Sequence, residues 1–313
     1  LGQLVRVDPA SGAKAVVAQL ATALDNLAID RNDRIFVSNM ADNAVLQVDA
    51  ETGRARTITR GALAVPGGIK LSEDGRTLYV ADLFAFRAVN TATGAVTDHR
   101  RMQSSDLEYP FAVGMSASKL LLSSWFTNSV QVLDRASMAT TAMLHGFKAP
   151  PDALGRPDGS ILVAEVGAGQ LTRASGNGYA QRSAVVSGLQ GPAQMILGAD
   201  GAVYLTEAAG RLLRIDPRDW SQRVVAQGLA LPEGLAQGRN GRLVLAEAGA
   251  RRLIELDPAT GERRVLAENL PIGFEAGQGL PPSYIPTGVA VAADGTVYFS
   301  ADRNNALYRL RPR

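Results

Sequence analysis

The feature that most constrains this chain is a three-part element that returns about every 42 residues, a spacing typical of repeat architectures. One part reads apolar–Asp–Pro–x–Ser/Thr–Gly, as in Val7-Asp8-Pro9-Ala10-Ser11-Gly12 and Leu256-Asp257-Pro258-Ala259-Thr260-Gly261. Looser copies run from Val48-Asp49 to Thr52-Gly53 and from Val89-Asn90 to Thr93-Gly94. Asp, Pro and Gly at such offsets close a tight reversal between two strands. A second part is a turn followed by a short β-rich run that ends on a polar residue. It occurs as Asp74-Gly75 ahead of Leu78 to Asp82, and again from Asp158-Gly159 to Glu165 and from Asp200-Gly201 to Glu207. Asn240-Gly241 leads to Glu247 and Asp294-Gly295 to Asp302 in the same way. Asp-Gly and Asn-Gly between apolar runs are strong hairpin signals. The third part, Pro–x–Gly/Ala–apolar, precedes these hairpins at Pro66, Pro151, Pro232 and Pro286.

Each repeat therefore carries four short strands, A to D from the axis outward. No long stretch sustains a helical apolar period, so an all-β, radially repeated fold is expected: one β-propeller of four-stranded antiparallel blades over residues 1–313;. Counting predicts seven A strands, seven B strands and eight C-like segments. Seven blades, with residues 2–19 completing the last blade so that N- and C-terminal strands close the ring, is the simplest arrangement. An eighth blade truncated at its start is one alternative, and a six-bladed ring, which would need two repeats to merge, is another.

Composition removes several function classes. Apolar residues make up 46% of the chain, yet no run is long enough to span a membrane as a helix;. The 32 basic and 30 acidic residues nearly cancel, and no basic cluster interleaved with aromatics suggests nucleic acid;. Cysteine is absent, which excludes disulfides, thiolate metal sites and cysteine nucleophiles;. A soluble monomer is expected. Leu1 in place of a start methionine reads as either a processed mature form or a trimmed chain.

The alternation of Pro-x-Gly-Leu, Asp-Gly-x-Leu-Tyr-Val-Ala-Glu/Asp and Val-Asp-x-x-Thr-Gly resembles the broad NHL-type propeller group. That group holds the streptogramin-lyase, gluconolactonase-like and strictosidine-synthase-like families. The resemblance covers nearly the whole chain and implies the fold. With the missing methionine, it also suggests a periplasmic or secreted protein.

Blade geometry places the start of A beside the end of B, on the face opposite the Asp-Gly turns. Ends of B form one ring there: Asn39, Asp82, Ser124, Glu165, Glu207, Glu247 and Asp302. Residues after the A-strand proline form another: Asp25, Gly67, Phe111, Asp152, Ala193, Glu233 and Thr287. Arg87, Arg211, Arg251 and Arg303 follow the B strands closely enough to pair with their ends. One reading makes the acidic ends ordinary repeat chemistry, accepting hydrogen bonds from neighbouring loops. The sharper one takes Asn39, Asp82, Glu165, Glu207 and Glu247 as candidate ligands of Ca²⁺ or Mg²⁺, which favour oxygen donors. Glu165, Glu207, Glu233 and Glu247 are the candidate catalytic carboxylates.

Aromatics concentrate on the same face. Phe84, Phe86, Tyr109, Phe111, Trp125, Phe126, Phe274 and Tyr284 are 8 of the 17 in the chain, and six of them lie between 82 and 126. An aromatic wall facing an acidic wall suits an amphipathic or cationic ligand. Asp82, Phe84, Phe111, Trp125, Asp152, Phe274 and Tyr284 are the expected ligand contacts. The long last D-to-A connection, 268–286, has the length of a binding loop or lid.

The two histidines, His99 and His145, fall in or beside outer D strands. That placement departs from the streptogramin-lyase pattern, which has a histidine where this chain has Glu233. The gluconolactonase-like pattern of a Glu, two Asn and an Asp around a metal is met only loosely, by Glu233, Asn39 and Asp82. No nucleophile elbow, phosphate loop or dinucleotide fingerprint is present. The expected function is binding of a small molecule or peptide segment at the axial face. A metal-dependent lactonase, esterase or lyase and a protein-interaction scaffold are the alternatives.

Overall fold

Short apolar runs separated by tight turns pair most readily with their sequence neighbours, and among the described residues every strand pairing is antiparallel and sequential;. The computed structural model describes residues 1–274 and 286–312. β1 (Gln3–Val7) and β2 (Lys14–Gln19) pair alone. A first four-stranded sheet follows, of β3 (Leu24–Ile29), β4 (Ile35–Asn39), β5 (Ala44–Val48) and β6 (Ala55–Arg60). The second holds β7 (Ile69–Leu71), β8 (Thr77–Asp82), β9 (Ala85–Asn90) and β10 (Val96–Arg101). The third holds β11 (Ala112–Met115), β12 (Lys119–Ser124), β13 (Ser129–Asp134) and β14 (Thr140–His145). The fourth holds β15 (Asp152–Gly155), β16 (Ile161–Glu165), β17 (Gln170–Ser175) and β18 (Gln181–Ser187). The fifth holds β19 (Pro192–Leu197), β20 (Val203–Glu207), β21 (Arg211–Ile215) and β22 (Gln222–Gln227). The sixth holds β23 (Pro232–Gln237), β24 (Leu243–Glu247), β25 (Arg252–Leu256) and β26 (Arg263–Ala267). The last has three strands, β27 (Val289–Val291), β28 (Val297–Ala301) and β29 (Ala306–Leu310).

The chain is a β-propeller, and the seven A, seven B and eight C-like segments are all present among the described residues. The core lies between blades. Leu154 and Leu162 of the fourth pack on Met195, Val203 and Leu205 of the fifth, and Tyr204 and Leu212 of the fifth pack on Leu235 and Leu245 of the sixth.

Closure differs from the expected exchange of terminal strands. The edge of β28 is taken by β29, which follows it through a short turn, whereas β1 would have to close a loop nearly the length of the chain;. β1 and β2 instead lay Leu4 and Ala18 on Ile35, Val37 and Val48 of the first sheet. The ring is sealed by β27 on β7, where Ala290 joins Ile69, Leu78 and Val80. Gly288 makes this approach possible, because a Cβ there would lie 2.4 Å from the backbone N of Ile69 and 2.8 Å from the carbonyl oxygen of Gly67. The first sheet stands beside the ring, with β3 exposed along most of its length. It is tied to the second blade through Arg101, which reaches Asp42 at 2.9 Å and the carbonyl of Thr22 at 3.1 Å.

Candidate functional site

The B-strand ends do not converge on the axis. Apart from Ser124, which accepts the N–H of Thr127 in its own B–C turn at 3.2 Å, each turns towards the D-to-A loop that enters its own blade, where backbone polar groups have no strand partner. Glu165 accepts the N–H of Lys148 at 2.6 Å, and its other oxygen takes Gln170 and the hydroxyl of Thr172. Glu207 accepts the N–H of Gln190 at 2.6 Å and pairs with Arg211 at 2.5 Å. Glu247 accepts the N–H of Ala230 at 2.9 Å and pairs with Arg252 at 2.6 Å. Arg252 replaces the expected Arg251, which adopts a left-handed conformation and donates to the carbonyl of Leu270. Asn39 donates to the carbonyls of Ala21 and Thr22 and accepts the N–H of Asp42. Asp302 accepts the N–H of Phe274 at 2.7 Å.

Asp82 shows what this bracing requires. It is wholly buried, accepts the N–H groups of Ala64 and Val65, and lies 3.1 Å from the Arg87 guanidinium. Burial pushes its carboxyl up to about 6, against the pull of Arg87 and the two N–H groups. These loop braces correspond to the plainer of the two sequence readings. Among the described residues no three His, Asp or Glu side chains gather to hold a metal, so the expected Ca²⁺ or Mg²⁺ ligand set does not assemble.

Three carboxylates sit at A strands: Asp25 is exposed on β3, and the other two are buried. Glu233 is buried and accepts the N–H of Thr287 at 2.7 Å, joining the sixth blade to the last. Asp152 is buried on β15 and accepts the N–H of Met195 at 2.8 Å from the next inner strand. Desolvation pushes Asp152 up to about 6, and the charge of Lys70 and the backbone N–H groups of Met195 and Ala153 oppose it.

The aromatic arc exists as a chain of rings. Phe84 meets Tyr109 edge-on at 6.2 Å, Tyr109 meets Phe126 at 5.1 Å, Phe126 meets Trp125 at 5.9 Å, and Trp125 meets Phe111 at 4.9 Å. Phe86 departs from it, fully buried against Tyr79 and His99, because β9 turns that position into the blade core. Phe274 is exposed, and Tyr284 lies outside the described residues along with most of the 268–286 connection. On this face the axis narrows to a pocket of about 60 Å³ where Pro151, Pro192, Pro232 and Pro286 approach one another beside Trp125 and Glu233.

The large cavity opens on the opposite face, among the A–B turns. It holds about 610 Å³ and is walled by all six inner strands of the ring, from Leu71 on β7 and Met115 on β11 round to Ala290 on β27. Its walls are mainly apolar, and its charged lining groups are Lys70, Lys119 and Arg156, with no carboxylate. Sequence reasoning directed attention to the other face, since carboxylates and aromatics mark that one. Lys70 was visible only as the single charged residue in its register position, a signal that needs the strand pairings.

Six inner strands around an open channel, with blades radiating outward, define a β-propeller, and comparison with known proteins agrees. A virginiamycin B lyase from Staphylococcus aureus, a catalytically inactive histidine-to-alanine variant with quinupristin, is 15% identical, with a TM-score of 0.56 over 79% of this chain and 84% of that one. A putative 6-phosphogluconolactonase from Bacteroides uniformis is 15% identical, with 0.54 over 86% and 88%. The WD40 propeller domain of Doa1 is 11% identical, with 0.59 over 93% of both chains. Likeness at this level shows the fold. No protein-family model matches the chain, and no curated protein matches it in sequence.

Proposed function

We propose that this protein binds a small molecule in the axial cavity, entered from the face of the A–B turns. The observation that carries this reading is the cavity of about 610 Å³ walled by six inner strands. Its volume and its apolar walls with few polar groups match those of small-molecule sites. Binding fits the side chains better than chemistry does. The virginiamycin B lyase variant lacking one histidine is described as catalytically inactive, and neither histidine of this chain lies at the cavity. His99 packs on Phe86, and His145 pairs with Glu108 at 3.0 Å on the rim of the third blade. A metal-dependent lactonase or esterase would need free carboxylates on the axis, and Glu165, Glu207 and Glu247 are each engaged twice by loop and strand. A periplasmic or secreted setting belongs to the same proposal.

The test uses N-phenyl-1-naphthylamine, a neutral probe that fluoresces on entering an apolar cavity. Saturable binding is expected, and Ser118→Trp should abolish it, since Ser118 is an exposed turn residue on the cavity lining. Equal binding to the parent and to a folded Ser118→Trp variant would place the probe elsewhere and end the axial reading.

A further inference from the structure

Strand register sets Lys70 apart. It lies on β7 opposite Tyr79 of β8. The equivalent pairing in the other blades places Ala28, Gly114, Leu154, Ile196, Ala236 and Ala290 at that position. Six repeats thus meet the needs of the fold with glycine or an apolar side chain, and one carries a full positive charge. Lys70 is half-buried and lines the cavity. A cation held among apolar walls loses hydration, a cost that an opposite charge normally offsets.

No such partner is built in. Among the described residues Lys70 has no hydrogen-bond or ion-pair partner, and no carboxylate lines the cavity. Asp152 is near enough to feel its charge, but its Oδ2 is taken by the N–H of Met195 and the two side chains form no ion pair. The other two cations of the lining are engaged at the rim. Lys119 donates to the hydroxyl of Tyr179 at 2.5 Å, and Arg156 stacks over Trp220 with Asp158 3.8 Å away.

We infer that the axial cavity is selective for an anionic amphiphile, whose carboxylate or phosphate head pairs with Lys70 and whose apolar body fills the channel. This rests on the axial reading above and adds the class of ligand. An anion here would give Lys70 the ion-pair partner it lacks, whereas a cation would meet three lining cations and no lining carboxylate;.

The experiment displaces N-phenyl-1-naphthylamine with three probes that share one tail: decanoate, decanol and decyltrimethylammonium. Decanoate should compete at least tenfold better than decanol, and decyltrimethylammonium worst of all. Lys70→Met should remove the advantage of decanoate and leave decanol unchanged, and Lys70→Arg should restore it. Equal competition by decanoate and decanol, or an undiminished preference in Lys70→Met, would overturn the anionic class while leaving axial binding intact. A probe that binds neither the parent nor any variant, or that ignores Ser118→Trp, would overturn both. Decyl phosphate beside decanoate then separates the two head groups.

Discussion

Arg87 holds Asp82 at 3.1 Å in a pocket where both are almost entirely buried, and the same guanidinium donates to the carbonyls of Ala41 and Ala62. One side chain therefore joins the end of a B strand, the loop that enters its blade, and the first sheet beside the ring. Removing one partner of a buried pair leaves the other charge uncompensated, a loss of about 3–5 kcal/mol. Arg87→Met should lower stability by that order in urea unfolding. It should also speed hydrogen exchange at Ala64 and Val65, whose N–H groups the carboxylate accepts. Unchanged exchange there would mean that the N–H groups alone hold the loop.

Glu207 and Glu247 should behave as braces. Glu207→Ala leaves the N–H of Gln190 without its acceptor and Arg211 without its partner, which costs roughly 1–3 kcal/mol;. The expected result is a lower melting temperature with probe affinity in the axial cavity unchanged. Lost binding in a variant that melts like the parent would instead place Glu207 at the ligand.

Chelation followed by Ca²⁺ or Mg²⁺ titration should leave the melting temperature where it was, because the candidate oxygens are already engaged by N–H, hydroxyl and guanidinium groups. An ion bound only to the folded state at a hundred times its dissociation constant would add about 2.7 kcal/mol. A saturable shift of several degrees would therefore show that these braces yield to a metal.

Asp152 makes stability depend on pH in a definite direction. Burial raises its folded-state carboxyl from the ordinary carboxylate range to about 6. The folded state thus holds the proton more tightly, and this contribution is complete below the unfolded value and lost as pH rises through about 6. Asp152→Asn keeps an acceptor for Met195 and removes the buried charge. It should be more stable than the parent at neutral pH by an amount of the order of 3 kcal/mol. The advantage should shrink steadily from pH 6 to pH 4, as read by melting temperature across that range. A constant difference would show that Asp152 does not titrate there.

Gly288→Ala tests the seam of the ring. Its new Cβ would meet backbone atoms of Ile69 and Gly67, which cannot rotate aside as a side chain could. Overpacking of this kind costs about 1–3 kcal/mol or more. The variant should melt lower and show a larger radius of gyration by X-ray scattering. Parent-like values for both would mean that β27 and β7 are not held at contact.

The sequence alone was enough for the strands, their order and the propeller, because those features are local. An Asp-Gly turn such as Asp200-Gly201 needs only a few residues to form a hairpin, and repeating it makes blades that can bury their faces only against each other. The aromatic chain from Phe84 to Trp125 was legible for the same reason: its members share one short stretch and one face. Tertiary structure decided the rest. Whether Glu165 looks to the axis or to Lys148 depends on which unpaired N–H groups the neighbouring loop brings within reach, and those loops pack only once the blades have met. The seam between β27 and β7 depends on contacts more than 200 residues apart in sequence, where a nearby hairpin partner wins over a distant strand;. Lys70 combines both levels. Its charge is plain in the sequence, but it becomes an unmatched cation in an apolar channel only after six inner strands come into register around it.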